Sequence, residues 1–206
     1  MQFLLTLRRR GIADQAVLRA MEEVPRERFV SREAASNAFA DHALPIDCGQ
    51  TISQPYVVAY MTEQLNVLPH HRVLEVGTGS GYQAAILARL AREVVSVERY
   101  RTLAEQAQER LRTRGYDNVE IVAGDGIAGV PARGPYDRII VTAAAEQVPQ
   151  KLVEQLAEGG VMILPLGPHA GPQHIVKLTK TGAELKRDNL IGVRFVPLLP
   201  GQAREL

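Results

Sequence analysis

A Rossmann-like, doubly wound α/β fold is the class this sequence predicts: a mostly parallel sheet with an N-terminal helical cap and a C-terminal antiparallel hairpin. Three observations carry it. Short β-branched runs alternate with amphipathic helical segments from Arg72 to Pro165, the first run opens into a glycine loop, and two strand-like runs flank Gly182 near the end. Neighbouring parallel strands need a crossover, and the crossover helix covers the sheet, so the alternation implies helices on both faces.

From residue 1 to about residue 38 the chain reads as helical, because Ile12, Ala16, Val17, Ala20, Met21 and Val24 recur at steps of three and four before Pro25 stops the pattern. Between Asp41 and Thr51 the period is lost and Pro45 and Gly49 punctuate it, which predicts a loop. A helix starts near Pro55, since proline suits a first turn where its missing N–H would find no partner, and Val57, Met61 and Leu65 then line one face. Ser53 stands just before it, in a position where serine is a common N-cap. Strands are predicted over residues 72–76, 93–97, 119–123, 138–142 and 161–165, and helices over 82–91, 101–114 and 149–157. The closing hairpin is expected from 173–180 and 189–197. Residues 1–53 would form the cap with its loop and 54–206 the sheet core, the whole chain making one domain.

Composition narrows the function classes. With 206 residues, 46% of them hydrophobic, the chain is long enough to bury a full core without staples. Its 24 basic and 23 acidic side chains leave a net charge of +1, which speaks against a partner such as nucleic acid, gripped through a domain-wide basic field. The triplet Arg8, Arg9, Arg10 reads as a solvated helix end. Cys48 is the one cysteine and has no intramolecular disulfide partner, no secretory leader pattern opens the chain, and no apolar run approaches the roughly 20 residues of a bilayer span. A cytoplasmic protein without a membrane partner is expected, with Cys48 a small packed thiol. No metal-ligand cluster is apparent.

The sharpest local signal is Glu75-Val76-Gly77-Thr78-Gly79-Ser80-Gly81, a buried-type strand running into alternate glycines and then an alanine-rich helix. Glycine lets the backbone turn tightly and lets a ligand approach it at the carboxyl end of the strand. The spacing departs from the dinucleotide fingerprint G-x-G-x-x-G, because Tyr82 holds the position of the third glycine. Glu98, at the end of the second strand, lies roughly 20 residues on, where a carboxylate accepts both hydroxyls of a ribose. Gly124-Asp125-Gly126 places another carboxylate at the end of the third, within reach of an adenine amino group or in a plain turn.

The loop is similar to the E/D-x-G-x-G-x-G loop of class I S-adenosylmethionine-dependent methyltransferases. Together with Gly49-Gln50-Thr51-Ile52-Ser53-Gln54-Pro55, Gly124-Asp125-Gly126, Pro135-Tyr136-Asp137 and Val193-Arg194-Phe195-Val196-Pro197-Leu198, it resembles the bacterial protein-L-isoaspartate O-methyltransferases from about Val24 to Leu198. The Gln-Thr-Ile-Ser-x-Pro stretch is the specific part, because ordinary class I enzymes lack it. The resemblance implies transfer of a methyl group from S-adenosyl-L-methionine, leaving S-adenosyl-L-homocysteine, to the free α-carboxylate of L-isoaspartyl residues in damaged proteins. The ester then closes to a succinimide, which starts repair. It also implies Ser53 as the active-site residue. Implied cofactor contacts fall on Gln50, Thr51, Ile52 and Ser53, on Gly77, Thr78, Gly79, Ser80 and Gly81, on Glu98 and Arg99, and on Asp125 and Gly126. Arg194 and Val196 of the final segment, and Thr142 and Ala143 of the small-residue loop after the fourth strand, are expected against a peptide substrate. The expected assembly is a monomer.

Overall fold

The computed structural model describes residues 2–203, so the first residue of the expected cap and the last three of the expected core lie outside the described residues. The cap begins with α1 (Gln2–Arg9) and α2 (Gln15–Glu23). Asp14 caps α2, its carboxylate accepting from the backbone N–H of Ala16 and Val17, an arrangement worth about 1 kcal/mol. The predicted helix does not run on to residue 38. Beyond Pro25 there are only single 3-10 turns at Arg26–Phe29 and Ala35–Asn37, because Arg32, Glu33, Ser36 and Asn37 offer no continuous apolar stripe to bury.

The segment expected as loop contains a small ladder, β1 (Leu44–Pro45) antiparallel to β2 (Thr51–Ile52). Cys48 and Gly49 turn it with φ of 57° and 65°. Cys48 is a half-buried turn residue, and the left-handed region costs a non-glycine residue about 1 kcal/mol. The turn delivers Thr51-Ile52-Ser53 to α3 (Pro55–Leu65).

The main sheet comprises β3 (Arg72–Val76), β4 (Glu93–Glu98), β5 (Val119–Ala123), β6 (Tyr136–Val141), β7 (Leu156–Leu166), β8 (Gln173–Thr181) and β9 (Glu184–Val193), in the order β5-β4-β3-β6-β7-β8-β9. The first five in that order pair in parallel; β8 and β9 complete the sheet antiparallel. The crossovers carry α4 (Tyr82–Ala88), α5 (Arg101–Arg112) and α6 (Gln150–Gln155). Side chains alternate across each strand: Val73, Val94 and Ile140 join the core under α2, α3 and α4, while Leu74, Val95 and Ile139 join the one under α6. The doubly wound prediction holds.

Two boundaries differ with consequences for the site. Residues 156–160, expected as helix and turn, open β7 instead. The second hairpin strand starts at Glu184, directly after the Gly182 turn, and ends at Val193, so Arg194–Pro197 are not strand. β9 is an edge strand with polar residues on both faces, which hides it from a search for apolar alternation. Phe195 donates its N–H to Gln173 Oε1 at 2.7 Å, and Val196 and Leu198 bond Ala144 through one 2.8 Å bond each. The end of the chain is thereby folded back over the loop after β6.

Candidate functional site

Glycine geometry at the end of β3 opens the site. Gly77, Gly79 and Gly81 have φ of +97°, +52° and +87°, and a Cβ on Gly77 would lie 2.4 Å from Thr142 Oγ1. That hydroxyl reaches the carbonyls of Val76 at 3.0 Å and Gly77 at 2.7 Å, tying the loop to the end of β6. Gly79 donates its N–H to Glu98 Oε2 at 2.8 Å, and Tyr100 donates to Oε1 at 3.1 Å. Glu98 is held by backbone at the loop, and an ionised carboxylate keeps acceptor sites beyond these two.

Behind the loop, Ser96 Oγ donates to Glu75 Oε2 at 2.5 Å and meets Thr78 Oγ1 at 2.6 Å, while Glu75 Oε1 has no hydrogen-bond partner among the described residues. Burial, reinforced by the nearby Glu98 charge and opposed by the Ser96 bond, pushes the Glu75 carboxyl up to about 8. The folded chain thus keeps a proton that the unfolded chain releases near 4.5. The stability tied to that proton is complete below the unfolded value and is lost as pH rises through the folded one, by about 1.4 kcal/mol per pH unit within the window. Thermal melts of the ligand-free protein are expected to show the native chain losing stability relative to Glu75→Gln between about pH 5 and pH 8. Parallel melting curves across that range would sink the assignment.

Three contiguous spaces open along the carboxyl ends of the strands. An inner chamber of about 440 Å³ is lined by Ile52, Ser53, the loop from Gly77 to Ser80, and Val57, Val58 and Met61 of α3. A second of about 550 Å³ lies between Val76, Val97, Glu98 and Arg99 on one side and Val196, Pro197 and Leu198 on the other, with Gln50, Gly126 and Ala143 at its walls. An outer groove of about 720 Å³ runs past Ser53, Tyr56, Arg10, Arg194 and Val196. Thr51 and Thr142 line all three; Ser53 is shared by the inner chamber and the groove.

Most of the residues singled out in the sequence therefore meet in one cleft. Gly81 and Asp125 do not line it. Gly81 opens α4 and sits where a Cβ would press on Ala107 and Leu111, so its lack of a side chain serves the contact between α4 and α5. Asp125 Oδ1 accepts from Ile127 N–H at 2.9 Å as a turn residue, while its neighbour Gly126 lines the cleft. Ser53 is not the helix cap: Val57 and Val58 bond the Gln54 carbonyl, and Gln54 is the N-cap residue.

Sequence reasoning missed Phe195, shared by the inner chamber and the groove, and Leu199 in the second chamber. It also gave Arg10 no role, yet Arg10 pairs with Asp41, lies 3.5 Å over the Tyr56 ring and lines the groove. The aromatic two residues into the Pro55 helix turn was the available signal for a cation partner. Of the two guanidinium groups in the groove lining, Arg10 is paired with Asp41, which leaves Arg194 as the cation offered to an anionic ligand.

The sequence model of the family described as protein-L-isoaspartate(D-aspartate) O-methyltransferase matches residues 1–203. The protein-L-isoaspartate O-methyltransferase of Bradyrhizobium sp. (strain BTAi1 / ATCC BAA-1182) is 59% identical over 206 residues, covering 100% of this chain and 96% of the relative. That of Parvibaculum lavamentivorans is 56% identical, covering 99% and 93%. Among solved structures, one named protein-L-isoaspartate O-methyltransferase superposes with a TM-score of 0.87 at 33% identity, over 95% of this chain and 64% of that longer chain. Another, from Plasmodium falciparum and solved in complex with S-adenosyl-L-homocysteine, gives a TM-score of 0.84 at 28% identity over 96% and 97%.

Proposed function

Because this chain belongs to the protein-L-isoaspartate O-methyltransferase family, we propose that its three spaces divide one reaction among them: nucleoside in the second, methyl donor end in the inner chamber, damaged peptide in the groove. The enzyme transfers a methyl group from S-adenosyl-L-methionine to the free α-carboxylate of L-isoaspartyl residues in damaged proteins, which initiates their repair. The observation that supports the division is the placement of Ser53 on both the inner chamber and the groove.

The residues present fit the cofactor. Gly77 leaves a space that any side chain would fill, Glu98 supplies acceptors for a diol, and Val76, Val97 and Leu198 offer apolar walls to a flat base. When bound, the sulfonium supplies an electrophilic methyl group. Gln50 to Ser53, Gly77 to Ser80, Glu98, Arg99 and Gly126 would hold it, with Gly81 and Asp125 supporting from behind.

The protein has little proton chemistry to perform, since a carboxylate with a pKa near 4 is ionised at neutral pH. Placement is the main task. In this reading the Ser53 hydroxyl donates to one oxygen of the substrate carboxylate and leaves the other to react. Ile52, Val57, Val58, Met61 and Phe195 exclude water where a negative nucleophile meets a positive centre, and neutralising charge is favoured in a dry site. Arg194, Val196 and Thr142, which line the groove, are read as substrate contacts, while Ala143, expected with them, lines the nucleoside space instead.

Methyl incorporation is expected into an isoaspartyl peptide and to be at least about a hundredfold weaker into its aspartyl twin, because the normal side-chain carboxylate presents a different reach from the backbone. Equal labelling of the two would overturn the groove assignment. The reading also takes residues 1–53 and 54–206 as one domain and the protein as a cytoplasmic monomer acting on neither nucleic acid nor membrane. Among the described residues no helix is long and apolar enough to cross a membrane.

A further inference from the structure

Arg26 is fully buried, with 0% of its surface exposed. Burying a guanidinium is costly unless it is paired or its donors are satisfied, yet no carboxylate lies within ion-pair distance of it among the described residues. Two of its nitrogens reach backbone carbonyls, Nε donating to Ala38 at 2.6 Å and Nη2 donating to Ser53 at 2.7 Å, while Nη1 has no hydrogen-bond partner among the described residues. The guanidinium carbon lies 4.9 Å from the centre of the Tyr82 ring. Tyr82 is the first residue of α4 and lines the inner chamber beside Ser53.

One planar cation therefore joins three stretches that meet nowhere else in sequence: the cap at Ala38, the Ser53 segment, and the helix that follows the glycine loop. The Ser53 segment has an extended backbone, and Ser53 caps no helix, so the carbonyl bond to Arg26 is the anchor beside its side chain. A rigid fork suits this task, because two donors in one plane set both distance and direction, which a single ammonium cannot do.

We propose that Arg26 is a positioning residue for Ser53, holding the peptide unit of Ser53 so that its hydroxyl meets the substrate carboxylate. The proposal rests on the role given to Ser53 above, and a double-mutant cycle separates the two. Arg26→Lys retains the charge but replaces the planar Nε–Nη2 fork with a single rotatable nitrogen, which does not fix the direction of either carbonyl. It is expected to lower kcat on the order of tenfold to a hundredfold, with calorimetric affinity for S-adenosyl-L-homocysteine within about threefold of the parent. In a Ser53→Ala background the same substitution is expected to lower kcat by less than about twofold, since there is no hydroxyl left to aim.

If Ser53→Ala itself keeps full kcat, the Ser53 role falls and Arg26 has nothing to position. If Ser53→Ala is impaired but Arg26→Lys costs the same factor in both backgrounds, Ser53 keeps its role and the positioning proposal is overturned. Should Arg26→Lys fail to fold, judged by its melting transition, Arg26→Gln takes its place in the cycle. Failure of both to fold overturns the proposal in favour of a core role.

Discussion

Ser53→Ala is expected to lower kcat on an isoaspartyl peptide by on the order of a hundredfold or more, while affinity for S-adenosyl-L-homocysteine stays within about twofold. The side chain is small, half-buried and set between the inner chamber and the groove. Its removal takes away one donor without collapsing a wall. The substrate carboxylate is a modest nucleophile held in a flexible chain, so its orientation carries much of the acceleration, and a freed carboxylate samples unproductive directions. Steady-state methyl incorporation gives kcat, and calorimetry with the product nucleoside gives affinity. A kcat within about threefold of the parent would remove the Ser53 hydroxyl from the mechanism, and a parallel collapse of nucleoside affinity would leave it a cofactor contact alone.

Gly77→Ala should produce the second large effect, this time on binding. The added Cβ would approach Thr142 Oγ1 to 2.4 Å at a φ of +97°, so the substitution meets collision and backbone strain together. The two effects are expected to destabilise the fold by about 2–4 kcal/mol and to weaken S-adenosyl-L-homocysteine binding by at least about a hundredfold. Thr142 cannot simply step aside, because its hydroxyl holds the Val76 and Gly77 carbonyls. Gly77→Ala combined with Thr142→Ala relieves the collision but not the strain, so it should recover part of the melting temperature. Gly182→Ala is the control: its φ is +59° but nothing lies within 4 Å of the added atom, and it should leave nucleoside binding unchanged. Normal binding by Gly77→Ala would sink the assignment of the loop as the cofactor cradle.

The parts of the molecule legible beforehand share a physical character. β3, the glycine loop and α4 are adjacent in sequence, and their signals are local: strand period, glycine spacing, helix period. Glu98 was readable because the length of a crossover sets where the second strand ends. β9 was displaced because an edge strand with polar faces has no apolar period to read, and the cap was overextended because isolated turns borrow their stability from neighbours.

Length, charge balance, the alternation of strands with helices and the glycine spacing determined the architecture, and the family resemblance carried by the glycine and Gln-Thr-Ile-Ser motifs implied the reaction class. What only the tertiary structure decided is which distant groups complete the cleft. Arg10 comes from the cap, Arg26 of the cap sits buried behind Ser53, Phe195 to Leu199 return over the loop after β6, and Gly81 and Asp125 stay behind the wall. Those placements depend on hydrogen bonds and burial between residues far apart in the chain: Arg26 reaches Ser53, and Gln173 holds Phe195. Such contacts leave no periodic trace in sequence, because each is one donor meeting one acceptor only after the sheet has formed.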